Sequence, residues 1–383
     1  MKPLSIYFHW PFCVSKCPYC DFNVHVRERI DEERWAEYYV RALKYYAEMA
    51  GDRIVKSIYF GGGTPSLMSP STVEAVITTV QKEWRVANDI EITIEANPTS
   101  VEVGKFEDFR SSGVNRVSLG VQALDDSVLQ FFGRAHDKAQ ALKAIETAKF
   151  VFDRWNFDLI YARPDQSVKA WEKELKEALK YIDGHLSLYQ LTIERNTPFY
   201  FDHAQGKFDI PEDALAAALY TRTQEILEEA GLPAYEVSNH AKPGEESIHN
   251  LSYWHYGEYI GIGPGAHGRL TTKQGRVATR DHHAPDIWLA QVGKVGHGHH
   301  PFTALDAAEQ FMEALMLGLR LREGMDLALA ADKAGIKNWR LAVKPEKIDT
   351  CVQEGWLTLE GSHLKASTEG WLRLNAMIPH ILK

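Results

Sequence analysis

An open, partial (β/α)6 barrel of TIM-like α/β type, joined to a smaller winged-helix-like α+β module, is the architecture expected of this 383-residue chain. Over the first two-thirds, short runs rich in β-branched and aromatic residues alternate with helix-length amphipathic stretches, as in parallel strands joined by right-handed crossovers. Six such units fall two short of a closed barrel, so the functional groups are expected at the C-terminal ends of an open set of strands. After about residue 200 the alternation loosens, and the end of the chain reads as helices followed by a hairpin.

The strands are expected at LSIYFHW (4–10), SIYFGGG (57–63), EITIEAN (91–97), RVSLGVQ (116–122), NFDLIYA (156–162) and HLSLYQL (185–191). Between them lie helical stretches such as 31–49 and 167–182; the second has Ser167 as N-cap and spaced Trp171, Leu175, Leu179 and Ile182. A helix at 213–231 precedes a polar loop at 239–268. A core-facing helix from about residue 305 and a hairpin at 354–367, with Gly361 in its turn, complete the chain. The division expected is 1–235 for the partial barrel, 236–300 for a connecting segment and 301–383 for the C-terminal domain.

Hydrophobic content of 45% with 25% charged residues is ordinary for a globular protein. A net charge of −9 argues against nucleic acid as a partner, because phosphate binding rests on basic residues. No apolar run approaches the ~20 residues of a membrane span, and MKPLSIYFHW lacks a secretory signal pattern. Four cysteines form no disulfide framework, so a reducing, cytoplasmic location is expected, with peripheral membrane contact left open.

Three of those cysteines, Cys13, Cys17 and Cys20, follow C-x3-C-x2-C directly after the first strand. One reading is a structural zinc site completed by His9 or His25, although structural zinc more often uses separated C-x2-4-C pairs. A reactive lone thiol fits less well, since crowded thiolates without a cation repel one another. An iron–sulfur cluster fits better: thiolates are its usual ligands, and three of them for four irons leave one iron open.

With Tyr19 before the third cysteine, this loop resembles that of the radical S-adenosylmethionine proteins. The resemblance extends to the HemN/HemW branch through Y-x-H-x-P-F-C (7–13), GGGTPS (61–66), EANP (95–98), GVQ (120–122), GRAH (133–136), DLIY (158–161) and HNLSYW (249–254), in order over nearly the whole chain. It implies a barrel of the radical SAM type with a HemN-like C-terminal domain, carrying a [4Fe-4S] cluster and S-adenosylmethionine. By the same carry-over, Tyr7, Tyr19 and Gly62 would contact the cluster-bound molecule and Glu95 would supply a carboxylate to it. Gln122, Arg134 and Asp158, with Gly63 and Thr64, occupy positions that contact a second S-adenosylmethionine in the oxidases of the branch. On the residues alone, Gln122 reads equally as a strand-end cap, Arg134 as an ion-pair partner and Asp158 as a loop anchor.

After Cys20 the oxidases continue with a further cysteine two positions on, where this chain has Asp21 and Phe22. That departure and the short lead-in to Cys13 resemble the haem-chaperone arm of the branch. The resemblance then implies haem or another tetrapyrrole as cargo, a haem-acceptor protein, an electron donor for the cluster and room for a homodimer. The alternative is oxygen-independent coproporphyrinogen III oxidase activity, oxidative decarboxylation to protoporphyrinogen IX. His249 is the candidate haem ligand, with Tyr253 and Trp254 against the porphyrin; HNLSYW could instead simply pin a polar loop. The histidines at 281–283 and 297–300 are expected to face solvent, GIGPGAHG (261–268) to close over S-adenosylmethionine, and Cys351 to be a packed thiol in a helix.

Overall fold

The computed structural model describes residues 1–382, apart from the side chains at positions 100 and 101. All six expected strands form and run parallel in sequence order: β1 (Lys2–Trp10), β2 (Arg53–Gly62), β3 (Arg85–Ala96), β4 (Arg116–Gln122), β5 (Arg154–Tyr161) and β6 (His185–Gln190). The sheet is wider than these six. β7 (Asn239–Ala241) adds antiparallel beside β6, and β8 (Tyr259–Ile262) adds parallel on the far side of β1. β9 (His267–Thr272), β10 (Gly275–Arg280) and β11 (Thr303–Ala304) continue antiparallel beyond β8, so the 11-stranded sheet ends at β7 and β11 without closing.

Alternation along β1 shows why the strand forms and what it encloses. Leu4, Ile6, Phe8 and Trp10 are buried toward the surrounding helices, where Phe8 meets Tyr39 edge-on at 5.7 Å and Trp10 meets Trp35 at 5.7 Å. Both partners belong to α1 (Glu32–Ala50), whose first turn is capped by the Asp31 side chain. Burying each such side chain contributes about 1.5–3 kcal/mol. Ser5, Tyr7 and His9 point the other way, into the lumen, in register with Ser57, Tyr59 and Gly61 of β2. Ser57 and Tyr59 are in turn opposite Glu91 and Thr93 of β3. A slip of one residue would turn these polar rungs onto the helices, which pins the register.

The helix expected at 167–182 forms as α2 (Val168–Ala178), and Ser167 caps it by accepting from the Ala170 N–H. Its partner α3 (Asp213–Glu229) buries Leu219, Ile226 and Leu227. The stretch 239–268, expected as a polar loop, is instead built into the barrel: it supplies β7, a helix α4 (Ile248–Trp254) and β8. Its polar residues misled the reading because their partners lie far away in sequence; the His249 N–H, for example, donates to Glu91.

The C-terminal domain begins with α5 (Ala307–Gly318), opened by a capping box between Asp306 and Glu309. A three-stranded sheet of β12 (Met325–Asp326), β14 (His363–Ala366) and β13 (Leu357–Glu360) follows the expected hairpin, with Gly361 at φ +64° in its turn. This domain has its own core, including Phe311, Leu315, Leu327, Ile348, Leu357 and Leu364, into which Cys351 is packed. Among the described residues no helix is long and apolar enough to cross a membrane.

Candidate cofactor site at the barrel mouth

The loop leaving β1 carries the three cysteines. A two-residue parallel ladder, Phe12–Cys13 with His25–Val26, closes it at its base, and the Cys20 N–H turns back onto the Cys17 carbonyl at 3.1 Å. Two of the sulfurs receive side-chain hydrogen bonds. Thr64 Oγ1 donates to Cys13 Sγ at 3.4 Å and Arg134 Nη1 to Cys17 Sγ at 3.4 Å. Burial raises the thiol pKa values of Cys13 and Cys20, the latter to about 11, and repulsion from the other thiolates adds to it. A loop that half-buries three soft thiols, supplies donors to Cys13 and Cys17 and disfavours ionisation of Cys13 and Cys20 suits a cationic iron–sulfur centre, which stabilises thiolates. Among the described residues no three His, Cys, Asp or Glu side chains converge closely enough to hold a single ion. Of the histidines considered for zinc, His9 is committed on both nitrogens, to Tyr7 Oη at 2.9 Å and the Asn23 carbonyl at 3.0 Å. His25 keeps an unpartnered Nε2.

Beside this loop the strand ends open into a cavity of about 540 Å³ lined by Tyr7, His9, Phe22, Gly62, Glu95 and Gly265, among others. That volume suits a small-molecule ligand. Backbone approach explains the glycine run: Gly62 has φ +110°, and a Cβ there would fall 2.6 Å from the His9 ring. Beneath the glycines, Glu95 accepts from Tyr59 Oη at 2.8 Å and the Gly62 N–H at 3.1 Å. Burial pushes the Glu95 carboxyl up to about 7 against those two bonds, and the nearby charge of Asp158 adds to the shift. The segment after β8 closes one side. Asn23 Nδ2 donates to the Pro264 carbonyl at 2.8 Å and the His283 carbonyl at 2.9 Å, tying the cysteine loop to the closing loop. Asp281 holds the same turn by accepting from the Gly263 N–H at 3.0 Å and Trp288 Nε1 at 2.6 Å.

Tyr7, Gly62, Gly63, Thr64 and Glu95 thus come together at the ends of β1, β2 and β3. Gln122 ends β4 in the left-handed region at φ +73°, an unusual conformation for a residue with a Cβ and one that gathers at ligand sites. Arg134 lies against the cysteine loop, held by the Gly120 carbonyl at 2.8 Å and by Asn97 Oδ1. Asp158 sits deeper, accepting from Ser118 Oγ at 3.4 Å and Asn156 Nδ2 at 3.3 Å. Protein surrounds its carboxyl and raises it to about 6, although the open lumen keeps the residue only half-buried. Tyr19 turns into an aromatic patch, edge-on to Phe132 at 5.1 Å and tilted toward Phe199 at 6.2 Å.

His249 lies elsewhere. It is 1% exposed at the foot of the barrel, with Nδ1 on Ser57 Oγ at 2.8 Å and Nε2 on Tyr253 Oη at 2.7 Å. Its ring stacks on Tyr59 at 4.7 Å, and burial lowers its pKa to about 3. In this arrangement neither ring nitrogen is free for iron. Of the histidines expected to face solvent, His283 does so, but the others pack together: His282 lies 3.8 Å from His300, His297 stacks on His299 at 3.7 Å, and His299 is buried against Tyr45 and Phe302.

Tyr59, Asn23, Asn97 and Glu91 carry the site's geometry without having been singled out in the sequence. For Tyr59 and Glu91 a signal existed: polar residues at alternate positions of otherwise apolar strands mark a polar lumen. Asn97 falls within the EANP motif but was given no role of its own there, and Asn23 has no such signal, since its partners become neighbours only on folding.

Comparison with known proteins agrees with this geometry. The family profile of the Radical SAM superfamily matches residues 7–178 and that of the HemN C-terminal domain residues 305–373. The mitochondrial radical S-adenosyl methionine domain-containing protein 1 of Mus musculus is 37% identical over 387 residues, covering 99% of this chain and 87% of the relative. The heme chaperone HemW of Escherichia coli (strain K12) is 35% identical over 382 residues, covering 99% of this chain and 98% of the relative. Among solved structures, coproporphyrinogen III oxidase (HemN) from Escherichia coli superposes over 99% of this chain and 90% of its own, with a TM-score of 0.82 at 19% identity.

Proposed function

The chain belongs to the radical SAM superfamily, in the family of the HemW heme chaperones, and on that premise we propose that it is a haem carrier. In this reading Cys13, Cys17 and Cys20 hold a [4Fe-4S] cluster, S-adenosylmethionine binds at the mouth, and haem is held and passed to an acceptor protein. The observation that carries it is the likeness to a heme chaperone over 98% of that relative's length, HemN C-terminal domain included. Asp21 and Phe22 following Cys20 support it, and Phe22, 59% exposed at the mouth, offers an apolar face there.

The cluster, once bound, supplies the electron and the open iron that S-adenosylmethionine chemistry requires. The chain's own part is binding and exclusion of water. In this reading Tyr7, Tyr19, Gly62, Gly63 and Thr64 border the ligand, the two glycines lacking the Cβ that would strike the His9 ring and the Phe12 backbone. The Glu95 carboxylate, when ionised, receives a cationic group, while Gln122, Arg134 and Asp158 extend the polar wall. Asn23 keeps the closing loop seated on the cysteine loop and so shields the mouth. His249 serves as iron ligand in this scheme only if α4 leaves its seat, because both ring nitrogens are otherwise engaged.

Turnover and transfer assays on anaerobically reconstituted protein test the reading. Supplied with reductant, S-adenosylmethionine and coproporphyrinogen III, it should form no protoporphyrinogen IX, and haem-loaded protein should transfer haem to an apo-acceptor. Appreciable oxidase turnover would replace the carrier reading with the enzymatic one. Haem titration of His249→Ala decides that residue's part: an unaltered Soret band and affinity would remove it as ligand.

A further inference from the structure

The two side chains that donate to cysteine sulfurs, Thr64 and Arg134, meet on one other side chain. Asn97 Nδ2 donates to Thr64 Oγ1 at 3.2 Å, so the threonine oxygen is occupied as an acceptor and its proton is directed to Cys13 Sγ. Asn97 Oδ1 accepts from Arg134 Nη2, which together with the Gly120 carbonyl turns the guanidinium so that Nη1 faces Cys17 Sγ. Asn97 is itself fixed from behind. Its backbone N–H donates to buried Glu102 at 2.8 Å, and Glu102 also accepts from Thr99 Oγ1 at 3.2 Å and from Ser66.

We propose that Asn97 is a positioning residue that sets the reduction potential of the cluster, by aiming Thr64 at Cys13 and Arg134 at Cys17. The inference rests on the cluster reading above. Hydrogen bonds to ligand sulfurs draw negative charge off a cluster and favour its reduced form, so they raise its potential. Reduction here is the addition of one electron from a low-potential donor, with no bond broken and no proton moved. Cys20 is outside the network, since neither Thr64 nor Arg134 donates to it. Substitution at Asn97 therefore weakens both of these sulfur contacts while leaving every cysteine in place.

The test is an EPR-monitored redox titration of full-length, anaerobically reconstituted protein, with dithionite as reductant and iron and sulfide content measured in parallel. For Asn97→Ala the ratio of reduced to oxidised cluster at a fixed potential should fall about tenfold, which is about 59 mV for a one-electron couple. Asn97→Asp keeps the acceptor for Arg134 but cannot donate to Thr64, whose hydroxyl then turns to the carboxylate and away from Cys13. Its ratio should fall about threefold, and Thr64→Val should match it. Should Asn97→Ala not retain its cluster, these two variants read the result. Unchanged potentials in Asn97→Asp and Thr64→Val at full iron content would overturn the proposal. Wild-type protein that assembles no cluster would instead sink the cluster reading itself.

Discussion

The barrel lumen is polar at both ends, but the foot is closed and the mouth is open. At the foot, Ser57 Oγ donates to Ser5 Oγ at 2.8 Å, Ser5 Oγ to Ser252 Oγ at 2.7 Å, and His249 is spent on Ser57 and Tyr253. Glu91 alone receives Ser247 Oγ at 3.1 Å, the N–H groups of Ile248 and His249 at 3.1 and 3.0 Å, and Arg154 Nη1 at 3.0 Å. It thereby seats the first turn of α4 across the bottom of the barrel. Four residues further along the same strand, Glu95 has two partners and borders the cavity. A polar motif whose groups are all partnered holds the fold together, whereas one whose groups still face open space is available to a ligand.

The largest effect expected from breaking this contrast is at the mouth. Cys17→Ala should abolish the iron and sulfide content of reconstituted protein, yet shift the unfolding free energy of the apo-protein by no more than about 0.5 kcal/mol. At the foot the outcome inverts: Glu91→Ala strands buried Arg116 and the donors of α4 and should cost about 3–5 kcal/mol by urea unfolding.

Glu95 gives a smaller, pH-dependent effect. Its carboxyl holds a proton to about 7 against an ordinary value of 4.5, so between these pH values the folded chain binds more protons than the unfolded one. Stability should therefore fall as pH rises through that window, and Glu95→Gln should remove its share of the slope. S-adenosylmethionine binding that uses the ionised carboxylate should strengthen by up to about tenfold per pH unit below 7 and level off above; calorimetry at several pH values checks this. The smallest effect belongs to the exposed Arg27–Asp286 pair at 2.7 Å, which ties the segment after the cysteine loop to the helix starting at Pro285. Asp286→Asn should change stability by less than about 1 kcal/mol, and added salt should mask even that.

Much of the barrel was legible before folding. The six strands, the cap at Ser167 and the hairpin turn at Gly361 are each announced by a local pattern, namely residue periodicity, a capping side chain and a turn glycine. The C-x3-C-x2-C spacing likewise places three thiols on one short loop whatever surrounds it. The stretch 239–268 was not legible, because its polarity is answered by Glu91 and Ser57, more than a hundred residues earlier. Nor could HNLSYW be located at the foot and not the mouth, since its identity as a motif says nothing of which partners it meets.

Residue order and spacing thus settled the strands, the helix cap and the cysteine loop, because each is signalled by a pattern of residues close together in the chain. Only the assembled barrel decided which polar groups are satisfied and which are left facing the cavity. Hydrogen-bond satisfaction is a property of the whole packed molecule: Glu91 and Glu95 share a strand and a chemistry, and differ only in what the rest of the chain brings to them.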